Sequence, residues 1–151
     1  MKRSNFLTLA AAGLAVALGS AAVAEDAHEM REKLMKGMGA QLGVLGPMAQ
    51  GKKPYDAAAA QAAADELAKL AEQDFAPFFP EGSDMDTTGT GKALPAIWEN
   101  MDDFSAKHTA LAEAAAQLAS VAGTGAEAMT PALMAVGGAC AGCHKSYRAP
   151  N

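Results

Sequence analysis

The residues best suited to chemistry lie near the C-terminus, in the order Cys140-Ala141-Gly142-Cys143-His144. This C-x-x-C-H spacing is typical of covalent attachment of a c-type haem. Residues three and four apart share one face of a helix, so Cys140 and Cys143 can form thioethers with the two vinyl groups while His144 binds the iron. The spacing therefore predicts one covalently bound haem c.

Three other roles for the cysteine pair are open and fit less well. A thioredoxin-like redox pair needs a βαβ setting, which the surrounding residues do not suggest. A zinc site needs further ligands, which the other two histidines, His28 and His108, supply poorly. A structural disulfide is the simplest alternative. The adjacent His144, together with the export signal described below, favours haem over all three.

A sixth iron ligand must come from upstream in the chain, because only seven residues follow His144. Methionine thioethers and histidine imidazoles are the usual second ligands. Methionines at helical spacing more often fill a core, and histidines more often form interior hydrogen bonds or meet solvent. The candidates are Met30, Met35, Met38, Met101, His28 and His108.

Two arginines are candidates for neutralising the haem propionates. Arg31 and Arg148 each carry a guanidinium, which meets a carboxylate with paired hydrogen bonds. Each is equally well explained as a solvated arginine. The large aromatic side chains are predicted to pack against the cofactor or to seal the end of the fold; they are Phe75, Phe78, Phe79 and Trp98.

The composition favours helices and leaves little bulk for a core. Half of the 151 residues are hydrophobic, but 38 of these are alanine, and the chain has one isoleucine and five valines. Strands prefer β-branched and aromatic side chains, whereas alanine has the highest helix propensity. A porphyrin is a large apolar body for which such a bundle must leave space. Without haem, the chain is expected to be loosely packed or unfolded.

Residues 1–24 are predicted to be a cleaved secretory signal peptide. Lys2 and Arg3 precede an apolar run over 6–19, and Ala22-Val23-Ala24 forms a small-residue cleavage site. The run has 14 residues, too few to span a bilayer as a helix. No later segment is predicted to enter the membrane. The signal predicts a periplasmic location.

The remaining residues, 25–151, are predicted to form one domain. They carry ten basic and 17 acidic side chains, a formal net charge of −7. Nucleic acid is excluded as an expected partner, because affinity for it depends on basic surface.

Apolar periodicity predicts two helices in the first half of this domain. The first spans about 26–49, ends near Pro47, and repeats apolar residues at Met30, Leu34, Met38, Leu42 and Leu45. At about 100° per residue, Arg31, Met35 and Leu42 share one flank of that stripe and are predicted to face the same interior cavity. Asp56 is predicted to cap an alanine-dense second helix that ends near residue 74.

Two more helices follow a long connection over 75–91. Asp102 or Asp103 is predicted to cap the third, whose inward positions are Phe104, His108, Leu111, Ala115, Leu118 and Ala122. Thr130 as N-cap and Pro131 at the first helical position are predicted to open the fourth, which runs to about Arg148. Its inward positions are Leu133, Val136, Cys140, Cys143 and Tyr147. The predicted fold class is all-α, an antiparallel four-helix bundle with covalent haem c.

These residues resemble the cytochrome c′ family, four-helix-bundle c cytochromes with a C-terminal haem. The likeness covers essentially all of 25–151. It is carried by Arg31 with Met35 four residues on, GKKPYD at 51–56, FPEGS at 79–83, Ile97-Trp98, and the haem motif ending in Tyr147-Arg148. The resemblance implies that Cys140 and Cys143 attach the haem, His144 is the proximal ligand, Arg31 contacts the haem, and Met35 faces the distal side of the iron.

The family divides at the distal residue. Cytochrome c′ proper is usually five-coordinate and high-spin, and its apolar pocket admits nitric oxide or carbon monoxide; in the low-spin branch a methionine binds iron. The runs KLMK at 33–36 and VLG at 44–46 look like the low-spin branch, and Glu32 replaces a glutamine common in cytochrome c′. The resemblance therefore favours a periplasmic one-electron carrier ligated by His144 and Met35. The alternative is a five-coordinate haem that binds nitric oxide or carbon monoxide.

Enzymatic activity is not expected, because the sequence places no distal acid or base pair. The residues do not identify a redox partner, and a small gaseous ligand is kept as an alternative partner. Family members often form homodimers through their first two helices, so a homodimer is kept as an option by analogy alone.

Overall fold

The computed structural model describes residues 12–150 as a helical bundle. In chain order its elements are α1 (Ala12–Ala49), α2 (Ala57–Ala71), a 3₁₀ turn (Ala76–Phe78), α3 (Met85–Thr88), α4 (Ala96–Glu99), α5 (Met101–Val121) and α6 (Ala126–Tyr147). Helices α1, α2, α5 and α6 are the four long members. Within the described residues, the only β-type pairing is one isolated bridge between Ala93 and Arg148. The predicted all-α four-helix bundle is confirmed.

Small side chains allow α2 to lie close to both of its neighbours. Leu67 on α2 and Leu118 on α5 are almost fully buried. Around them are fully buried alanines, Ala60, Ala64 and Ala71 on α2 and Ala115 on α5. Helix α2 packs against α1 and α5, and α5 packs against α6, whereas α1 and α6 make far fewer contacts with each other. The bundle is therefore tight on three sides and sparse on the fourth.

Helix α1 begins earlier than the predicted 26–49 stretch and ends at Ala49, as predicted. It begins at Ala12, because 12–24 are rich in alanine and contain no proline. It also continues past Pro47, which removes only its own N–H, and then closes where Lys52 and Lys53 donate to the Pro47 carbonyl at 2.9 and 3.1 Å. The basic start of the predicted signal peptide, Lys2 and Arg3, lies outside the described residues.

The cap of α2 is confirmed, although the helix ends before residue 74. The side chain of Asp56 accepts a hydrogen bond from the Ala59 N–H at 2.9 Å. At the other end, Asp74 accepts from the Ala76 N–H at 3.0 Å. This bond opens the 3₁₀ turn, so the chain leaves the helical path after Ala71.

The predicted starts of the third and fourth long helices are wrong. Asn100 occupies the N-cap position of α5, and Asp102 and Asp103 fall in its first turn. Helix α6 begins one turn before Thr130, because Gly125 adopts a φ of 153° and its carbonyl accepts from Met129 at 3.0 Å. Pro131 thus lies inside α6, where it removes one intrahelical hydrogen bond.

The inward stripes are confirmed with one exception. Leu34, Met38 and Leu45 on α1 are buried, whereas Met30 is 42% exposed and does not belong to the core. On α5, the inward positions Phe104, Leu111, Ala115, Leu118 and Ala122 are buried, and His108 is half-buried.

Replacing Leu118 with alanine tests the tight side of the bundle. Leu118→Ala should lower the free energy of unfolding by about 2–5 kcal/mol, because the neighbouring alanines cannot reach into the cavity. Denaturant unfolding of the haem-loaded protein measures this change. Met134→Ala, at a position that is 72% exposed, is the control and should stay within about 0.5 kcal/mol of the wild type. Equal losses in the two variants would contradict the packing described here.

Candidate haem site

Cys140, Cys143 and His144 lie close together on one side of α6, within its last three turns. Cys140 and Cys143 are free, half-buried, and packed against the core. Burial raises the pKa of both thiols. The exposed His144 is partly desolvated by its neighbours, which lowers its pKa, and the positive charge of Arg148 lowers it further. Both effects favour the neutral imidazole, the form that can ligate iron.

Helix α1 supplies the opposite wall. Arg31 and Met38 are buried, and Met35 and Leu42 are half-buried against the core. Met35 lies one turn beyond Arg31, so the two share a flank as predicted. Met101, another candidate for the sixth iron ligand, lies at the start of α5 and is 40% exposed, so it is not part of this wall.

Arg31 is held by the crossing segment, residues 72–100, which connects α2 to α5. Its Nη1 donates to Ser83 Oγ and its Nη2 to the Ser83 carbonyl, both at 2.9 Å. The guanidinium also lies over the Phe79 ring, 5.1 Å from the centroid. Burial lowers the pKa of Arg31, and the charge of Asp84 partly offsets that effect. Contact with a propionate stays a prediction, because no bond described here tests it.

The facing flanks of α1 and α6 carry glycines with open space beside them. Gly39 follows Met35 by one turn of α1, Gly46 follows Leu42 in the same way, and Gly137 lies two turns before His144 on α6. A Cβ added at any of the three would meet nothing within 4 Å. By contrast, a Cβ at Gly37, on the α2 side of α1, would lie 3.2 Å from Leu70. The glycines therefore add no bulk on the α1–α6 side, where the two helices also make the fewest contacts, next to the C-x-x-C-H motif.

The chain beyond α6 returns to the crossing segment. The Leu94 N–H donates to the Tyr147 carbonyl at 3.1 Å, and the Ala149 N–H donates to the Lys92 carbonyl at 2.9 Å. Arg148, at the centre of this pairing, bridges to Ala93 and is exposed. Its predicted contact with a haem propionate is likewise left as a prediction.

Aromatic side chains seal one end of the bundle, as predicted for that group. Phe79 contacts Phe104 edge-on with centroids 4.8 Å apart, and Phe104 contacts Tyr147 in the same way at 5.4 Å. Phe75 is buried and stacks on His108 at 3.8 Å. This cluster ends beside the haem motif, because Tyr147 follows His144 by three residues.

Two histidines considered as iron ligands have other partners. His108 Nε2 lies 2.9 Å from the Ala71 carbonyl at the end of α2. The ring of His28 lies against the turn at Gly91, whose added Cβ would come within 2.8 Å of His28 Nδ1. Both rings therefore serve to join elements of the bundle. The described residues contain no cluster of three or more His, Cys, Asp or Glu arranged to hold a metal ion, so a protein-only zinc site finds no support there.

One pair of site residues was not found from the sequence. The Tyr147 hydroxyl donates to Asp103 Oδ2 at 2.5 Å, and Lys107 Nζ lies 3.5 Å from the same oxygen. The bond lowers the pKa of Asp103 and raises that of Tyr147 to about 12. Asp102 or Asp103 was predicted to cap the helix, and a cap position gives no signal for a partner 44 residues away.

A sequence model of the family described as "Cytochrome C'" matches residues 26–148. The chain belongs to the cytochrome c′ family. Among curated relatives, cytochrome c-554 of Cereibacter sphaeroides is 41% identical over 133 residues, covering 84% of this chain and 87% of that protein. Family membership and the two cysteines establish the cofactor as covalent haem c, and the open α1–α6 side fits it.

Solved structures of the family share this fold. Cytochrome c′ from "Rhodobacter Spheriodes" superposes with a TM-score of 0.82 at 37% identity, covering 85% of this chain and 98% of that one. A nitric oxide complex of a variant of cytochrome c prime from Alcaligenes xylosoxidans gives a TM-score of 0.74 at 29% identity, over 85% and 97% of the two chains. Over residues 12–150, no helix has the length and apolar character needed to cross a membrane.

The Tyr147–Asp103 bond should limit the pH range over which this end of the bundle is most stable. Tyr147 has a folded-state pKa of about 12, above the unfolded value near 10, so its contribution is lost as the pH rises from about 10 to 12. The pKa of Asp103 is lowered on folding, so its contribution is lost as the pH falls below about 4.

The measurement is unfolding of wild type and Tyr147→Phe across this range. The stability difference between them should be constant from about pH 5 to 9 and shrink toward both extremes. A difference that does not change with pH would contradict the bond.

Proposed function

We propose that this periplasmic c-type cytochrome holds one five-coordinate haem and binds a diatomic gas, nitric oxide or carbon monoxide, on its distal side. Cys140 and Cys143 attach the haem, and His144 is its axial ligand. When bound, the haem supplies a one-electron couple and an axial position for a small ligand. The periplasmic location rests on the signal-like residues 1–24.

The observation that carries this proposal is the apolar character of the flank of α1 that faces α6. Met35, Met38 and Leu42 line it, and the neighbouring Gly39 and Gly46 add no bulk. A small uncharged gas needs little more than such a pocket, whereas a polar substrate would need hydrogen-bonding partners. The nitric oxide complex of the Alcaligenes xylosoxidans relative, on the same fold, supports this use of the site.

The described part of this flank offers no acid–base pair to cleave a bound ligand. Arg31, one turn before Met35, is a charged side chain on this flank, and its guanidinium donates two hydrogen bonds to Ser83. We therefore include in the proposal that the protein binds and releases its ligand without catalysing a reaction.

Electron transfer with His144 and Met35 as ligands, which the sequence favoured, is the second candidate. One observation supports this second candidate: Met35 is half-buried on the same flank of α1 as Arg31 and packs against the core. Methionine ligation would raise the reduction potential and make the haem low-spin. Similarity to a cytochrome c-554 as well as to cytochromes c′ is compatible with either coordination.

The absorption spectrum of the reduced protein separates the two candidates. A five-coordinate haem should give a broad high-spin spectrum and bind carbon monoxide promptly on mixing. Met35→Ala should leave the spin state unchanged, because the thioether is not a ligand. Met30→Ala, at an exposed position one turn and a half earlier, is the control. A sharp, split low-spin spectrum that Met35→Ala abolishes and Met30→Ala preserves would overturn the proposal and support electron transfer.

Covalent attachment can be tested at each cysteine. Cys140→Ala and Cys143→Ala should each keep haem through one thioether, and the double variant should release it on denaturation. Haem staining of a denaturing gel and the pyridine haemochrome spectrum, which responds to each vinyl group left unsaturated, measure the result. Haem that stays covalently bound in the double variant would rule out these two attachment residues.

A further inference from the structure

Asp103 and Tyr147 join the haem-bearing end of α6 to the first turn of α5. The Tyr147 hydroxyl lies 2.5 Å from Asp103 Oδ2, at the short end of the range for a hydroxyl donating to a carboxylate. A second acceptor, the Asn100 carbonyl, is 3.5 Å from the same hydroxyl. Asn100 is the N-cap residue of α5, so both acceptors belong to the start of that helix.

Tyr147 lies where it can control the orientation of the haem ligand. It follows Cys143 by four residues and His144 by three, so it is the next side chain along the same face of α6. Its ring is 5% exposed and meets Phe104 edge-on, with an interplanar angle of 87°. The ring contact and the hydroxyl bond both link this end of α6 to α5.

The carboxylate has partners on both sides. Lys107, one turn along α5, places Nζ 3.5 Å from Asp103 Oδ2. The charges of Asp103 and Lys107 also act on the Cys143 thiol, whose pKa they shift in opposite directions. The pair therefore lies within electrostatic reach of a haem attachment residue.

We propose that Asp103 is a positioning residue for the proximal side of the haem, acting through Tyr147 on the turn of α6 that carries Cys143 and His144. This inference rests on His144 as the axial ligand, which is part of the proposed function. It assigns to an aspartate on α5 a role that the C-x-x-C-H motif does not contain.

The physical reason is the position of the bond at the end of the helix. The last intrahelical bond of α6 runs from the Arg148 N–H to the His144 carbonyl at 3.1 Å, and beyond it the Tyr147 carbonyl accepts from Leu94. The hydroxyl bond adds a side-chain link from this last turn to α5. Without the hydroxyl bond, the ring of Tyr147 can slide on Phe104 and the His144 imidazole can rotate with it. A covalently attached haem would then have a less uniform axial ligand.

The test is the low-temperature electron paramagnetic resonance spectrum of the ferric, haem-loaded protein, because its g values and line widths report the axial ligand field in either spin state. Tyr147→Phe and Asp103→Ala should each broaden or shift the spectrum, and their double variant should change it no more than the larger single change. Asp103→Asn keeps an oxygen acceptor for the hydroxyl and should stay near wild type. Asp102→Asn, one residue away, is the matched control for loss of a charge and should not alter the spectrum.

Two results would overturn this inference. The first is a wild-type spectrum in both Tyr147→Phe and Asp103→Ala. The second is a change in Asp103→Asn as large as that in Asp103→Ala, since this would trace the effect to charge instead of position. If Asp103→Ala fails to accumulate with haem, Tyr147→Phe, which loses only an oxygen atom, decides the question. The wild-type spin state in the same spectra judges the proposed function separately.

Discussion

One constraint shapes the rest of the structure: α1 and α6 contact each other far less than the other neighbouring long helices do. Their facing flanks carry Gly39, Gly46 and Gly137, which leave open space, whereas the α1–α2 side is already in close contact at Gly37. Helices with so little bulk gain little from packing together, because stabilisation scales with the apolar area buried. A covalent porphyrin would supply such area in a chain with 38 alanines.

The crossing segment between α2 and α5 connects the two walls of this site. Ser83 receives two hydrogen bonds from Arg31 on α1, and Leu94 donates to Tyr147 at the end of α6. Within the segment, the Met85 N–H donates to the Ala93 carbonyl at 2.8 Å, which brings these two attachments together. The crossing segment therefore holds the two walls in register through the Arg31 side chain on α1 and through a backbone bond to the end of α6.

The features that were predictable from sequence are those set by neighbours along the chain. The covalent haem c, the Asp56 cap and the α5 stripe were predicted from spacings of three and four residues, and each is confirmed. Pro131 misled the prediction of where α6 begins, because a helix tolerates the loss of one hydrogen bond when the flanking turns are satisfied. The prediction that Met35 ligates a low-spin haem rested on short runs of sequence near Met35. The family comparisons give more support to the alternative, a haem that binds a gas.

Contacts between distant residues were beyond such patterns. Asp103 accepts from Tyr147 across 44 residues, and His108 meets Ala71 across 37. Both residues had an adequate local explanation, Asp103 as a candidate helix cap and His108 as an inward position of the α5 stripe. Only the packing of α5 against its neighbours shows that each one joins two helices.

Hydrogen exchange, compared between the haem-loaded protein and a variant with Cys140, Cys143 and His144 all replaced by alanine, tests most directly whether the haem is part of the core. The account predicts that the amides of α1 and α6 lose most of their protection in the variant, with smaller losses in α2 and α5 where alanine packing is complete. Protection of α1 and α6 that is the same in both proteins would contradict it, because the two helices would then be stable against each other without the haem between them.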